Sequence, residues 1–200
     1  MKIRTILGMI TAITLFIVAT FMLNQSYAKD SNVTATSDDI KLQQQAQALF
    51  KPLPDVMPAP EGNPTTDEKV QLGKKLFYDP RLSLSGVISC NTCHNLSTYG
   101  SDNLENSLGH NFQTGGRKAP TVLNAGLHVA QFWDGREPDL EGQAKGPVLN
   151  PLEMGMPDTE IAVARLNSIP EEREEVAIVF EGEEEPLNYD NVAKAIAAFE

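Results

Sequence analysis

Cysteine is nearly absent from this 200-residue sequence, which has two, Cys90 and Cys93. That excludes a disulfide framework, and without a second Cys-x-x-Cys pair it excludes a four-cysteine zinc site. Histidine is equally scarce: His94, His110 and His128 are the three in the chain. Basic side chains are few as well. The 16 Lys and Arg face 27 Asp and Glu, and the resulting formal charge of −11 disfavours nucleic acid and anionic lipid as partners. Such a surface serves solubility or a small basic partner. Neither a strand-like alternation of apolar and polar residues nor an internal repeat is present, which points to an all-α fold.

Long apolar runs are also missing, except from Ile6 to Leu23. This run follows the basic Lys2 and Arg4 and precedes the small residues Ser26 and Ala28, so residues 1–28 read as an export signal. The run is almost long enough to span a bilayer, which leaves an uncleaved anchor open. Either way the folded part is expected outside the cytoplasm.

What the chain does have is Cys90-Asn91-Thr92-Cys93-His94. C-x-x-C-H is the attachment signature for c-type haem, in which two thioethers hold the porphyrin and the imidazole binds iron. In an exported chain with no other cysteine, this reading outweighs a redox disulfide or half of a zinc site.

Residues 29–64 are expected to hold a flexible polar segment, a short helix over Asp38 to Phe50 and a strap from Lys51 to Pro64 containing five of the 13 prolines. The haem domain should occupy residues 65–200. A capping-box pattern at Thr65 and Glu68 predicts a helix to about Tyr78, with Val70, Leu72, Leu76 and Phe77 as its apolar side. Cys90 to Asn95 should begin a short helix that sets His94 beneath the ring. From Leu96 to Asn150 no long helical period is present and glycines and prolines interrupt repeatedly, which predicts a loop-rich wrap with short helices. Three further helices are predicted over Asp158 to Asn167, Glu171 to Phe180 and Asn191 to Glu200. The last is still running at Glu200, so the domain is expected to be truncated there.

The segments ISCNTCHNL, GHNFQTGGRKAPTVLNA, QFWDGREPDLEGQAKGPV, NPLEMGMP and NYDNVAKAIAAFE resemble those of bacterial di-haem cytochrome c peroxidases, in order and in spacing. The resemblance covers Asp38 to Glu200. It implies a loop-rich, cytochrome c-like all-α domain with one haem c in this chain and a second in a full-length enzyme. The implied activity is periplasmic reduction of hydrogen peroxide to water with electrons from a soluble cytochrome c or a cupredoxin, and a homodimer is left open. By the same resemblance Cys90 and Cys93 attach the haem, and His94 is the proximal iron ligand. His110 is implied as the distal ligand of the resting state, one that leaves on activation. Gly109, Gly115 and Gly116 flank it and would let its loop swing. Glu153 would carry protons between the peroxide oxygens, its pKa raised by an apolar pocket. Gln143 would hydrogen-bond a bound oxygen species, Trp133 would relay electrons between haems, and His128 is read as structural.

The sequence departs from the family in two places. The family holds calcium through an asparagine after an arginine, whereas Arg117 is followed by Lys118, whose ammonium cannot ligate a cation. Calcium is therefore left uncommitted. A single C-x-x-C-H also leaves no second haem to store an electron, so the chain reads as the peroxidatic part of a longer enzyme, weakly active or inactive alone. Two other readings stay open: a one-haem electron carrier with Met154 or Met156 on the iron, and a related di-haem enzyme that oxidises a protein substrate. The implied distal His110 favours the peroxidase.

Overall fold

The structure, a computed structural model, describes residues 35–60 and 62–200, so the export signal expected over 1–28 lies outside the described residues. Among the described residues there are helices, short 3-10 turns and two isolated β-bridges, with no strand, in agreement with the all-α expectation. None of these helices is long and apolar enough to cross a membrane. The chain divides into two compact units, one ending at Leu53 and one running from Pro54 to Glu200.

In the first unit, helix α1 (Ser37–Leu49) begins at a reciprocal cap. Thr36 Oγ1 accepts from the Asp39 amide at 3.2 Å, and the Asp39 carboxylate accepts from the Thr36 amide at 2.8 Å. Two otherwise orphaned donors are satisfied in this way. The helix buries none of its side chains: Ile40, Leu42 and Leu49 are exposed. Capping and good helix formers, rather than an apolar face, account for it.

The second unit begins with the strap and α2 (Asp67–Phe77). The expected cap at Thr65 is corrected by one residue, because Thr66 Oγ1 accepts from the Lys69 amide at 3.2 Å. The reason is visible in Lys69, which turns inward. Its buried Nζ donates to Asn63 Oδ1 and to the Pro64 carbonyl, both at 2.8 Å, and sits 5.3 Å from the Phe180 ring centre. Burial, helped by the charge of Lys194, lowers this ammonium's pKa. Asn63 completes the pin, its Nδ2 donating to Glu141 Oε1 at 2.7 Å and to the Lys194 carbonyl at 3.1 Å. The proline-rich strap is thus fastened to the domain by one buried amide.

Five helices follow: α3 (Cys90–Cys93), α4 (Leu140–Leu149), α5 (Thr159–Asn167), α6 (Pro170–Val179) and α7 (Tyr189–Phe199). Helices α2 and α7 cross at Gly73, where an added Cβ would lie 1.8 Å from the Ala195 carbonyl oxygen. Only glycine allows that approach. Around the crossing Leu72, Leu76, Phe77, Val192 and Ile196 are buried, and Phe77 meets Phe199 edge-on at 5.3 Å. Each such side chain contributes about 1.5–3 kcal/mol of burial.

Helix α4 corrects the expectation that no long helix would form between Leu96 and Asn150. Asp139 caps it, accepting from the Gly142 amide at 2.7 Å. Leu140, Ala144 and Val148 lie four residues apart on one face, and Ala144 and Val148 enter the core beside Val192 and Ile196 of α7. Gly142, Gly146 and Pro147 obscure this period in the sequence; burial of the face overrides their poor helix propensity. The other three helices start within two residues of their predicted positions, with Asp158 capping α5 as expected and Asn188 capping α7.

Candidate haem site

A cavity of about 350 Å³ lies within the second unit, in the range of small-molecule and cofactor pockets. Cys90, Cys93, His94, Trp133, Gln143 and Glu153 all line it. The first three reach it from the single turn α3, which the Thr92 hydroxyl opens by accepting from the Ser89 amide at 3.0 Å. The His94 amide closes the turn on the Cys90 carbonyl at 2.9 Å. One turn therefore aims two thiols and one imidazole at the same space.

His94 Nδ1 is 3.0 Å from the Pro120 carbonyl oxygen, which makes Nδ1 the protonated nitrogen and leaves the Nε2 lone pair for a ligand. Burial holds the imidazole below the usual histidine pKa, against the opposing pull of that hydrogen bond, so it stays neutral and able to ligate. Burial also raises both thiols. The chemistry of this donor set fits a covalent haem: two thiols and a neutral, tautomer-locked imidazole share one largely apolar cavity.

On α4 and the loop after it, Gln143 and Glu153 contribute polar groups to the wall. Burial raises the Glu153 carboxyl, opposed by the charge of Arg136 and by Asn150, whose Nδ2 donates to Oε1 at 3.0 Å. Trp133 lines the cavity but is 64% exposed, with its Nε1 donating to the Lys118 carbonyl at 2.8 Å. It is a wall residue and not part of the core. Met154, 3% exposed, also faces the cavity, while Met156 belongs to the core.

Of the two histidines expected on the iron, His110 lies outside the cavity wall. Its amide donates to the Glu153 carbonyl at 2.6 Å, and its ring lies against Gly155, where an added Cβ would come within 3.0 Å of Cγ. Its Nδ1 is buried and has no hydrogen-bond partner among the described residues. The neighbouring glycines are not equivalent. Gly109 is wedged so tightly that a Cβ would fall 2.0 Å from the Leu152 carbonyl, while Gly116 has open space around it. Gly109 thus serves close packing, and the positive φ angles of the loop fall at Asn111 and Phe112. His128 is exposed.

Sequence reasoning missed three features of the wall. Arg117 and Arg136 flank Asp134 at its rim, and Glu200 closes it from the end of α7, its buried Oε2 unpartnered and its carboxyl pushed up to about 8 by burial. The clustering of both signs of charge around Trp133 was the only signal in the sequence for the first two.

Fold and cavity are those of an all-α, cytochrome c-like domain with a pocket of cofactor size. The family model described as di-haem cytochrome c peroxidase matches residues 67–200, and the chain belongs to that family. It is 48% identical over 159 residues to the cytochrome c551 peroxidase of Pseudomonas aeruginosa, covering 80% of this chain and 46% of the relative. It is 42% identical over 170 residues to the methylamine utilization protein MauG of Methylorubrum extorquens, covering 84% and 47%. Among solved structures, a MauG-like protein associated with microbial copper homeostasis superposes with a TM-score of 0.67 at 33% identity, over 75% of this chain and 45% of the other. The chain thus spans less than half the length of these relatives. The family implies c-type haem as cofactor.

Proposed function

We propose that this domain reduces hydrogen peroxide to water at one covalently bound haem c, as the peroxidatic part of a di-haem enzyme exported to the periplasm. The electron donor is a small soluble redox protein, a cytochrome c or a cupredoxin. The observation that carries the reading is the shared cavity: the thiols of Cys90 and Cys93, the carbonyl-anchored His94, and the polar pair Gln143 and Glu153 face one space.

Cys90 and Cys93 would hold the haem, and His94 would offer its Nε2 to the iron. When bound, the haem supplies the electrons and the metal site for cleaving the O–O bond. Glu153 takes the proton from the near peroxide oxygen on a carboxylate oxygen and returns it to the departing far oxygen. A carboxyl raised by burial yet checked by Arg136 and Asn150 suits both halves of that transfer. Gln143 orients the peroxide by donating from its amide. Trp133 stands at the rim, ring exposed, where it can pass electrons inward. His110 would be the residue that blocks the iron in the resting state. The unpaired Nδ1 supports this role, because a buried nitrogen without a partner costs free energy that a second position would recover.

One observation favours a second reading, an electron carrier with a methionine on the iron: Met154 is buried and faces the cavity. The two separate in one assay on the haem-loaded protein. Peroxide-dependent oxidation of a reduced small redox protein supports the peroxidase. Electron exchange without peroxide consumption would establish the carrier instead.

A further inference from the structure

The proposed reaction uses Arg136 only as a charge acting on Glu153 and leaves two further basic residues of the cavity wall, Arg117 and Lys118, without a task. In a chain of net charge −11 with 16 basic residues, three at one cavity is a concentration that solubility alone does not call for. Two of them are organised. Arg136 Nη1 donates to both oxygens of Asp134, at 2.9 and 3.1 Å, and its guanidinium carbon lies 3.5 Å from the Phe132 ring centre. Arg117 Nη1 lies 3.3 Å from Asp134 Oδ2. One carboxylate therefore sits between two guanidiniums and leaves a positive charge over. Among the described residues, the Nε and Nη2 atoms of both arginines have no hydrogen-bond partner.

These arginines line the same cavity as the two thiols. A haem joined through thioethers at its vinyl edge keeps two propionate carboxylates as its peripheral anions. Guanidinium matches a carboxylate through paired N–H groups, a geometry that an ammonium cannot reproduce.

We propose that Arg117 and Arg136 form the clamp for the haem propionates, with Asp134 spacing the two guanidiniums and Phe132 fixing the plane of Arg136. The inference rests on reading the cavity as the haem site. Trp133 is tied into the same rim, since its Nε1 holds the Lys118 carbonyl beside Arg117. Asp134 and Phe132 are positioning residues here, acting only through the arginines.

The test uses haem-loaded protein carrying Arg117→Gln or Arg136→Gln, with Lys145→Gln as a control, since Lys145 pairs with Asp190 at 2.6 Å and does not line the cavity. Two quantities are read: the propionate bending bands in the resonance Raman spectrum, and the ferric/ferrous potential from a spectroelectrochemical titration. Loss of either guanidinium is expected to displace the bands and lower the potential, because a cation that stabilised the more negative reduced form is gone. Lys145→Gln should alter neither. Arg136→Lys should recover the potential but not the bands, which guards against a merely misfolded variant. Bands and potential equal to the control in both arginine variants would overturn the clamp and reduce the cluster to a surface ion pair. A wild-type protein that takes up no covalent haem would instead sink the haem reading, and the clamp with it.

Discussion

The Nδ1 atom of His94 lies 3.0 Å from the carbonyl oxygen of Pro120, so an imidazole from the Cys-x-x-Cys-His turn is oriented by a backbone group 26 residues downstream. Pro120 lies in a stretch with neither helix nor strand, so its carbonyl is not taken up by a backbone ladder and serves this task. A ring held at one nitrogen presents the other in a single direction, which suits an axial ligand. The loop-rich stretch between α3 and α4 is therefore part of the site's construction.

The α2–α7 crossing should be intolerant of any side chain at Gly73. An added methyl would have to occupy space 1.8 Å from Ala195 O. Gly73→Ala is expected to cost about 1–3 kcal/mol or more, since overpacking forces backbone shifts. Guanidinium unfolding of the haem-loaded protein measures it; an unchanged midpoint would mean that the helices do not approach this closely.

Asn63 fastens the strap. Replacing it with alanine removes the donor to Glu141 and one of the two acceptors of the buried Lys69 ammonium together. An expected loss of about 1–3 kcal/mol follows from leaving a buried donor unpaired. Limited proteolysis should then cut within residues 54–64 faster than in the wild type, while an unaltered cleavage rate would show that the prolines alone hold the strap.

Stability should fall with rising pH because of Glu200. Burial raises its pKa from 4.5 to about 8, so between these values the folded chain keeps a proton that the unfolded chain has released. The contribution is full below the lower value, declines through the window and is lost above the upper one. Unfolding of haem-loaded protein from pH 5 to 9 (about this range) should give a flatter profile in Glu200→Gln. Parallel profiles would mean that the carboxyl finds a partner.

His110 should be removable from the iron. The oxidised, haem-loaded wild type is expected to give a low-spin electron paramagnetic resonance signal of two axial histidines, and His110→Ala a high-spin one. A low-spin signal that survives the substitution would place another residue, with Met154 the first to suspect, on the distal side.

Much of this was legible in residues whose role is local. Cys90, Cys93 and His94 come to one cavity wall from a single turn because of their spacing, and Asp158 signals a helix start because its side chain has one amide to meet. Thr65 against Thr66 was not legible, since both residues offer a hydroxyl and the choice was made by Lys69 turning to Asn63. Helix α4 was hidden because its glycines and proline have poor local propensity, and only packing against α7 reveals why Leu140, Ala144 and Val148 share a face. The Arg117–Asp134–Arg136 cluster was unreadable for a similar reason: it joins a residue before Trp133 to two after it across a loop that no periodicity describes.

The most direct measurement is the rate at which peroxide reacts with the haem-loaded enzyme after reductive activation, followed by rapid mixing in the wild type and in Glu153→Gln. Covalent haem content should be equal in the two, because Glu153 holds no part of the attachment turn. If Glu153 carries the proton between the peroxide oxygens, the variant should react about 10²–10⁴-fold more slowly. Equal rates at equal haem content would contradict the account, and the cavity would then hold a haem that does not use Glu153 to cleave peroxide.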